Sequence, residues 1–414
     1  MFRKLATLDE AQEIISQHLP CKPLGTEDTK LLKAPNRVLA EDITAKLNIP
    51  PFDRSTVDGY AVKAEDTFGA EESKPVKLRV CGMADAGELP KTVVGSGTVV
   101  RIVTGAPIPD GADAVVMLED TELKGDELLI YDSLVEGTNI MKAGSDIRKG
   151  ETVLKKGTVL GSGEIGVLAA IGLSKVKVHA IPRVAVLSTG AEVAKPGGKL
   201  RPGKVYDTNA YSLSAAVVES GGEPIYLGVF PDRASEIQKA LRRALASADL
   251  VITSGGVSVG PKDLLPEVLD SLGKPGVVLC GIAIKPGKPA TMALIGEKMV
   301  FSLPGHPTSA LLVFHLLVHP VIQKMAGRKL GAPLKVKAFA AARMFPAKGR
   351  RTFIMVRLRQ DTLKRLLAEP VPTGLSGAIT TLARADGFIE IAENQQFLDE
   401  GEEVTVRLLK SRAS

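Results

Sequence analysis

The segment Leu250-Val-Ile-Thr-Ser-Gly-Gly-Val-Ser-Val-Gly-Pro-Lys-Asp263 decides the fold class of this chain. A short, continuous apolar run is followed by a glycine-rich loop, and a helical pattern from Leu264 to Leu272 comes next. Continuous apolar runs are typical of strands that are covered on both faces, as they are in parallel sheets. The segment therefore predicts one strand–loop–helix unit of an α/β domain.

The same alternation of strand and helix continues on both sides of this segment. The pattern predicts strands over residues 184–187, 224–229, 250–253 and 299–303, and helices over 211–221, 235–247, 264–272 and onward from Thr308. Strands that alternate with helices in this way are the signature of a parallel sheet built from βαβ units. We expect an α/β domain over residues 181–328.

Outside that region the apolar residues change to a period of two, which predicts short strands. Runs of this kind at 76–80, 99–103, 114–117 and 127–130 predict a β-rich insertion domain over residues 48–147. An amphipathic pattern at 8–19, a short helix at 162–171 that ends before Gly172, and a helical turn at 30–38 assign residues 1–47 and 148–180 to an N-terminal linker domain. Alternating strands return after Gly327, so residues 329–414 are expected to form a small C-terminal β domain.

Composition excludes several classes of protein. The 414 residues are 44% hydrophobic and 24% charged, which is ordinary globular usage and excludes a disordered or collagen-like chain. The net charge is +6, but 53 basic and 47 acidic residues are interleaved, so a small anionic substrate explains the basicity as well as nucleic acid does. The three cysteines, Cys21, Cys81 and Cys280, lack the spacing of a zinc site or a disulfide framework. No signal-peptide pattern or apolar run of membrane-span length stands out, so a cytoplasmic location is expected.

The candidate ligand site lies in the loops that follow the predicted strands, because open α/β sheets bind ligands beyond the carboxyl ends of their strands. Nearly all of these segments combine glycine with Ser, Thr, Asp or Glu; they are residues 188–192, 207–209, 231–232, 253–263 and 302–309. The glycine-rich loop 254–260 can turn backbone N–H groups toward an anion. Pro261 and Lys262 follow it where a P-loop requires Lys and Ser or Thr, so a P-loop is excluded.

Two lysines and several carboxylates add charge to this site. Lys285 and Lys288 lie three residues apart in a Lys-Pro-Gly-Lys-Pro loop, and two ammonium groups suit a doubly charged oxyanion or a phosphate. Acidic residues at the same edge would repel a phosphate unless Mg²⁺ bridged the two; they are Glu192, Asp207, Asp232 and Asp263. His315 and His319 have no glutamate between them, so we expect packing residues rather than metal ligands.

Taken together, these motifs resemble the molybdopterin molybdenumtransferase family, which is homologous to the E domain of gephyrin. Eight motifs occur in the family's order: 51–62 (PFDRSTVDGYAV), 101–117 (RIVTGAPIPDGADAVVM), 188–192 (STGAE), 207–209 (DTN), 254–260 (SGGVSVG), 285–289 (KPGKP), 303–307 (LPGHP) and 376–378 (SGA). The resemblance implies a multidomain α/β plus β fold with an elongated N-terminal linker, a molybdopterin-binding-like α/β domain and a small C-terminal β-barrel-like domain.

The resemblance also implies residue roles. The catalytic residues would be Asp58, Thr104, Glu192, Asp232 and Asp263, with Glu192 and Asp263 as metal ligands. The substrate-binding residues would be Asp207, Ser254, Gly255, Gly256, Ser258, Lys285, Lys288, Pro304, Gly305 and Ser309. In the implied homodimer the β-rich domain of one subunit faces the α/β domain of the other, so that Asp58 and Thr104 complete the partner's site.

The reaction implied takes adenylylated molybdopterin and molybdate and releases molybdenum cofactor and AMP with Mg²⁺. The molybdopterin adenylyltransferase would deliver the substrate and apo-molybdoenzymes would receive the product, with no nucleic acid or membrane involved. Four positions depart from the family's pattern, Ser145, Ala191, Gly281 and His306, and each changes one polar group. A preference for tungstate, an adenylyltransferase activity and a non-catalytic scaffold are the alternatives.

Overall fold

The computed structural model describes residues 5–18, 22–256, 264–329, 331, 334–371 and 380–409. The chain forms two compact units. The first comprises Met1–Glu27, Asn36–Ala40 and Lys177–Ser414, and the second comprises Asp28–Pro35 and Glu41–Val176. The finer division into four domains stays a prediction.

Within the described ranges, the helices are α1 (Leu8–His18), α2 (Ser162–Ala170), α3 (Asn209–Glu219), α4 (Ala234–Ser247), α5 (Leu265–Leu272), α6 (Pro307–Val313), α7 (His319–Met325) and α8 (Thr380–Arg384). The strands of the second unit and its borders are β1 (Thr26–Lys30), β2 (Ile43–Thr44), β3 (Arg54–Ser55), β4 (Gly59–Val62), β5 (Val76–Ala84), β6 (Thr98–Ile102), β7 (Ala114–Met117), β8 (Thr121–Lys124), β9 (Glu127–Ile130), β10 (Ile140–Met141), β11 (Thr152–Leu154) and β12 (Lys175–His179). The strands of the first unit are β13 (Arg183–Thr189), β14 (Val193–Ala194), β15 (Val205–Tyr206), β16 (Glu223–Phe230), β17 (Leu250–Ser254), β18 (Pro275–Cys280), β19 (Ile284–Lys285), β20 (Thr291–Ile295), β21 (Lys298–Leu303), β22 (Lys335–Ala340), β23 (Arg351–Gln360), β24 (Leu366–Pro370), β25 (Gly387–Ile391) and β26 (Glu403–Leu408).

The α/β sheet has the strand order β16-β13-β17-β21-β20-β18. The first four strands are those that the sequence predicts, and they are parallel. The structure adds two strands that the sequence pattern does not predict: β20 runs antiparallel to β21, and the edge strand β18 runs antiparallel to β20. A two-residue turn containing Gly296, whose φ is +62°, joins β20 to β21. A short glycine-containing turn between two apolar runs is a hairpin signal, so this part of the sheet was identifiable in the sequence.

Both faces of this sheet are covered. Val184 and Val186 of β13 point into an apolar core shared with α3 and with the helices after Pro307. Their neighbours Ala185 and Leu187 point into a second core shared with α4 and α5. Successive side chains of a strand point to opposite faces, which explains why the predicted continuous apolar runs are needed here.

The helical run Pro307–Met325 contains 19 residues with a mean hydropathy of 1.2. Its length and composition would suffice to cross a membrane, but 67% of it is buried inside the protein, as in a core helix. A π-helical turn at Phe314–Val318 precedes Pro320, which has no N–H group to donate to the preceding turn. Burial lowers the pKa of His315 to about 4, and His319 Nδ1 lies 2.8 Å from Ser220 Oγ. These are packed histidines, as the sequence indicates.

The second unit contains the predicted β-rich region, a six-stranded sheet of order β7-β4-β6-β5-β9-β8. Its apolar core includes Tyr60 and Val62 of β4 and Leu128 and Ile130 of β9. The helical turn predicted over 30–38 is shorter than expected, since a 3₁₀ turn covers only Leu31–Lys33. Pro35 follows shortly after it and has no N–H group to continue the helical hydrogen bonds.

The C-terminal strands close into the predicted barrel. Strand β23 pairs with both β24 and β25, so the order β23-β24-β22-β26-β25 returns to its start. Side chains such as Val356, Ile389 and Val406 fill the interior. The short strand β19 extends this sheet in parallel with the start of β23, which places Lys285 opposite Thr352.

Candidate functional site

The four parallel strands end at one edge of the α/β sheet. Ser188 is in register with Ser254, Ser254 with Leu303, and Thr189 with Phe230. The predicted site loops therefore leave the sheet side by side, as far as they lie within the described residues. The antiparallel strand β20 starts at the same edge, because Thr291 is in register with Ser302. The lysine loop 285–288 precedes that strand and thus belongs to the same end of the sheet.

Asp207 is committed to hydrogen bonds inside the protein. Its side chain is buried, and Oδ1 accepts hydrogen bonds from Ser188 Oγ at 2.9 Å and from the backbone N–H of Ala210 at 3.0 Å. Tyr226 OH donates to Oδ2 at 3.3 Å, and burial followed by the charge of Asp207 raises the pKa of Tyr226 to about 12. Asp207 thus satisfies a free N–H group at the start of α3 and joins β13 to β16.

Asn209 joins two more loops to this network. Its Nδ2 donates to Ser254 Oγ at 2.7 Å and to the carbonyl oxygen of Gly305 at 2.8 Å. Ser254 Oγ in turn donates to the carbonyl oxygen of Pro304 at 3.2 Å. The buried Oδ1 of Asn209 finds no hydrogen-bond partner among the described residues. The Asn209 side chain therefore holds the ends of β17 and β21 together and retains one free acceptor.

Gly255 and Gly256 have left-handed backbones, with φ of +92° and +69°. A Cβ atom at Gly255 would lie 2.2 Å from the carbonyl oxygen of Thr189, and one at Gly256 would lie 2.7 Å from Thr189 Oγ1. Both positions therefore require glycine. The same Cβ position at Gly256 would lie 4.0 Å from Asp232 Oδ1, so the Asp232 carboxylate is close to this loop. Thr189 Oγ1 is buried and has no hydrogen-bond partner within the part of the chain that the structure describes.

Four charged side chains at these loops are available to a ligand. Glu192, Asp232 and Lys285 are exposed and Lys288 is half-buried. Across the described ranges, none of the four forms an ion pair. The carboxylate of Glu192 folds toward Gly190, since its Oε1 lies 2.9 Å from the position of a Cβ on that glycine.

The lysine loop is held rigidly. Gly287 has φ of +117°, and a Cβ there would lie 2.7 Å from Val313 Cγ2. The backbone N–H of Ile282 donates to the carbonyl oxygen of Lys288 at 2.9 Å. Gly281, one of the departures from the family pattern, has φ of +83° and would place a Cβ 2.7 Å from Leu5 Cδ2. A lysine at position 281 would therefore strain the local backbone.

Asp58 and Thr104 form a pair in the β-rich unit. The backbone N–H and the hydroxyl of Thr104 donate to Asp58 Oδ1 at 2.6 Å and 2.9 Å. The hydrogen bond from the backbone of Thr104, then that from its hydroxyl, and then the charge of Arg101 lower the pKa of Asp58 below its usual value. Asp58 is thus an exposed carboxylate that stays ionised.

Five further predicted site residues remain, and the structure describes three of them. Pro304 and Ser309 are buried and Gly305 is exposed. Ser258, Asp263 and the 376–378 motif lie outside the described residues.

Where the structure describes the chain, no three His, Cys, Asp or Glu side chains form a cluster that could hold a metal ion. Glu192 is free to contribute one carboxylate, and Mg²⁺ commonly takes only one or two carboxylates beside phosphate oxygens and water.

Comparison with known proteins identifies the family. The chain matches the MoeA N-terminal region (domain I and II) over residues 6–172, the probable molybdopterin binding domain over 185–324 and the MoeA C-terminal region (domain IV) over 337–409. A molybdopterin molybdenumtransferase of Haemophilus influenzae is 36% identical over 404 residues, which cover 97% of this chain and 98% of that protein.

Further relatives agree with these matches. A molybdopterin molybdenumtransferase of Bacillus subtilis is 36% identical over 93% of this chain and 90% of its own length. The crystal structure of a molybdopterin biosynthesis MoeA protein from Pyrococcus horikosii has a TM-score of 0.84 and 44% identity, covering 99% of this chain and all of that one. The chain therefore belongs to the molybdopterin molybdenumtransferase family.

Proposed function

We propose that this protein inserts molybdenum into molybdopterin, as a transferase of molybdenum cofactor biosynthesis. The observation that carries the proposal is the free, rigid lysine loop at the edge of a sheet whose other loops present glycine backbone and carboxylates. Molybdate is a doubly charged oxyanion, and Lys285 and Lys288 supply two ammonium groups for it. Because Gly287 packs against Val313, the backbone of this loop needs little further ordering when the lysines bind the anion.

The glycine loop and its supports are assigned to the pterin substrate. Gly255 and Gly256 can bring bare backbone close to a phosphate. The side chains of Asp207, Asn209 and Ser254 already form hydrogen bonds inside the protein. These residues therefore position the loops that contact the substrate. We therefore assign Asp207 and Ser254 a positioning role, whereas direct contact was expected from the family resemblance. Pro304, Gly305 and Ser309 complete this side of the site.

Adenylylated molybdopterin is the proposed form of the substrate: water adds to the adenylyl phosphorus as the pyrophosphate link breaks, AMP leaves, and the remaining phosphate stays on molybdopterin. Glu192 and Asp263 would hold Mg²⁺, which when bound neutralises charge on the phosphate oxygens. Asp232, exposed beside Gly256, is assigned to proton transfer during this cleavage. The two lysines keep the oxyanion close to the pterin while the link is broken.

A homodimer is also proposed, in which Asp58 and Thr104 of one subunit complete the site of the other. Two-fold symmetric dimers use the same surface on both subunits, so one protein carries two such sites. The adenylyltransferase that makes the substrate and the apo-molybdoenzymes that take the product are the proposed partners, in the cytoplasm.

One assay tests the proposed function. Purified protein is mixed with adenylylated molybdopterin, Mg²⁺ and either molybdate or tungstate, and AMP release is followed. Release that depends on either oxyanion is expected, and the preferred anion identifies the metal. Indifference to both anions contradicts the insertase, formation of adenylylated molybdopterin from molybdopterin and ATP favours the adenylyltransferase, and failure of every reaction favours a scaffold.

Glu192→Gln is expected to lower AMP release at least tenfold at limiting Mg²⁺ and to lose less at high Mg²⁺. The amide keeps the shape of the side chain but removes the charge that a hard cation prefers. Activity measured against Mg²⁺ concentration checks this, with Glu219→Gln at the far end of α3 as the control. The metal role is wrong if wild type and Glu192→Gln respond equally to Mg²⁺.

Asn209→Asp is expected to raise KM for the pterin substrate about tenfold and to lower the free energy of unfolding by about 1–3 kcal/mol. An aspartate oxygen cannot donate to the carbonyl oxygen of Gly305, so the ends of β17 and β21 would separate. Ser212→Ala is the control, because Ser212 Oγ bonds only within α3, to the carbonyl oxygen of Asn209. An unchanged KM together with lowered stability would leave Asn209 with a purely structural role.

A further inference from the structure

The C-terminal barrel carries a second cavity, which the proposed function does not use. It is a half-open cleft of about 1040 Å³ between the second half of β23, strand β24 and the end of α8. Apolar side chains on its wall include Leu366, Pro370 and Leu408, and three arginines also line it. Ligand cavities commonly have volumes of about 300–1,000 Å³, so this one is large enough for a molecule of nucleotide size.

The charge of this cavity is unbalanced toward positive. Arg357 and Arg359 lie two residues apart on β23 and so point to the same face, and Arg384 ends α8. Two carboxylates are among the described lining residues: Glu369, in register with Arg357 on the neighbouring strand, lies 3.5 Å from Arg359, and Asp386 Oδ2 accepts a hydrogen bond from the backbone N–H of Leu358 at 2.8 Å.

Arg357 and Arg384 are therefore left without a carboxylate partner among the residues that the structure describes. Both side chains belong to exposed residues. A guanidinium group presents a planar fork of N–H donors that matches a phosphate group in two-point contact. Two guanidinium groups at the wall of one cavity therefore match a doubly charged phosphate better than they match a singly charged carboxylate.

This cavity lies apart from the lysine loop, although both lie along β23. Lys285 is opposite Thr352 at the start of that strand, and Arg357 comes five residues later. At about 3.3 Å per residue the two positions are about 17 Å apart along the strand. The odd separation also places the side chains of Thr352 and Arg357 on opposite faces of β23, so the cavity and the lysine loop are separate.

We propose that the cavity bounded by Arg357 and Arg384 is a second anion site, which binds the phosphate of a nucleotide-sized molecule and packs its uncharged part against the apolar wall. A nucleic acid polymer fits less well, because basic and acidic residues are interleaved along the chain rather than gathered in a basic block. The proposal is independent of the insertase function.

Isothermal titration of the full chain with AMP and with pyrophosphate tests this site. The starting protein carries Lys285→Ala and Lys288→Ala, so that the lysine loop does not contribute to binding. The glycine loop at Gly255 and Gly256 binds AMP equally in all these variants, so we expect a further saturable component of binding that becomes at least tenfold weaker after Arg357→Ala and Arg384→Ala are added. Arg384→Gln alone, at the exposed end of α8, is expected to weaken binding to a smaller extent and serves if the larger combination does not fold.

The matched control removes two positive charges elsewhere in the C-terminal domain, with Lys337→Ala and Arg343→Ala. These residues pair with Glu403 and Asp399. An equal loss of binding in the control would mean that the overall charge of the domain, and not these two arginines, determines binding. That result would overturn the proposed site. Absence of saturable binding, unchanged affinity in the arginine variants, or binding of an acidic peptide or RNA but of neither phosphate compound would also overturn it.

Discussion

Replacing either Lys285 or Lys288 by alanine is expected to lower the rate of molybdate-dependent AMP release by about 10²–10³ while the protein stays folded. A rigidly placed cationic donor contributes strongly where the charge of an oxyanion must be held, and the loop is fixed by Gly287 against Val313. Neither lysine forms an ion pair in the described part of the chain, so its removal breaks no internal charge pair. The rate is measured against molybdate concentration for wild type and both variants.

A control separates this effect from a loss of net charge. Lys335→Ala, at the exposed start of β22, removes the same charge far along the chain from the lysine loop and should leave the rate unchanged. Thermal unfolding of all the variants should occur within a few degrees of wild type. Full activity in both Lys285→Ala and Lys288→Ala would exclude the loop from oxyanion binding.

Periodicity predicted the parallel part of the sheet because its strands are buried on both faces and its helices have one apolar side. The four predicted strands agree with β13, β16, β17 and β21 within a few residues. Strands β18 and β20 also contain apolar residues, and only the turn at Gly296 signals that β20 runs antiparallel to β21. The direction of a strand thus depends on the connection that precedes or follows it, and the composition of the strand does not reveal this.

The meeting of the candidate loops was predictable, whereas the contacts of their polar side chains were predictable only in part. The loops meet because parallel strands end at one edge, which follows from topology alone. Whether a polar side chain there faces ligand or protein depends on neighbours that are distant in sequence: Asn209 bonds to Gly305 96 residues away. Asp207 and Ser254 were predicted from the family resemblance to bind substrate, yet both are buried in that internal network. The partnership of Asp58 with Thr104, 46 residues apart, likewise needs the folded sheet.

The shared site proposed for the homodimer makes the last prediction: two inactive variants should restore activity when they are mixed. Asp58→Asn damages the β-rich part of a site, and the amide oxygen can still accept the hydrogen bonds of Thr104. Asp232→Asn damages the α/β part, at an exposed position beside Gly256. Each homodimer then has two damaged sites. AMP release should be close to background in each.

After subunit exchange, a mixed dimer of these variants contains one intact site and one site that carries both substitutions. Random pairing makes about half of the dimers mixed, and each has one of two sites working, so activity should return to roughly a quarter of wild type. Mixing Asp232→Asn with Glu192→Gln is the control, because both changes lie in the α/β part and every site stays damaged. No recovery in the first mixture, despite exchange demonstrated with differently tagged subunits, would mean that Asp58 and Asp232 act within one chain or not at one site.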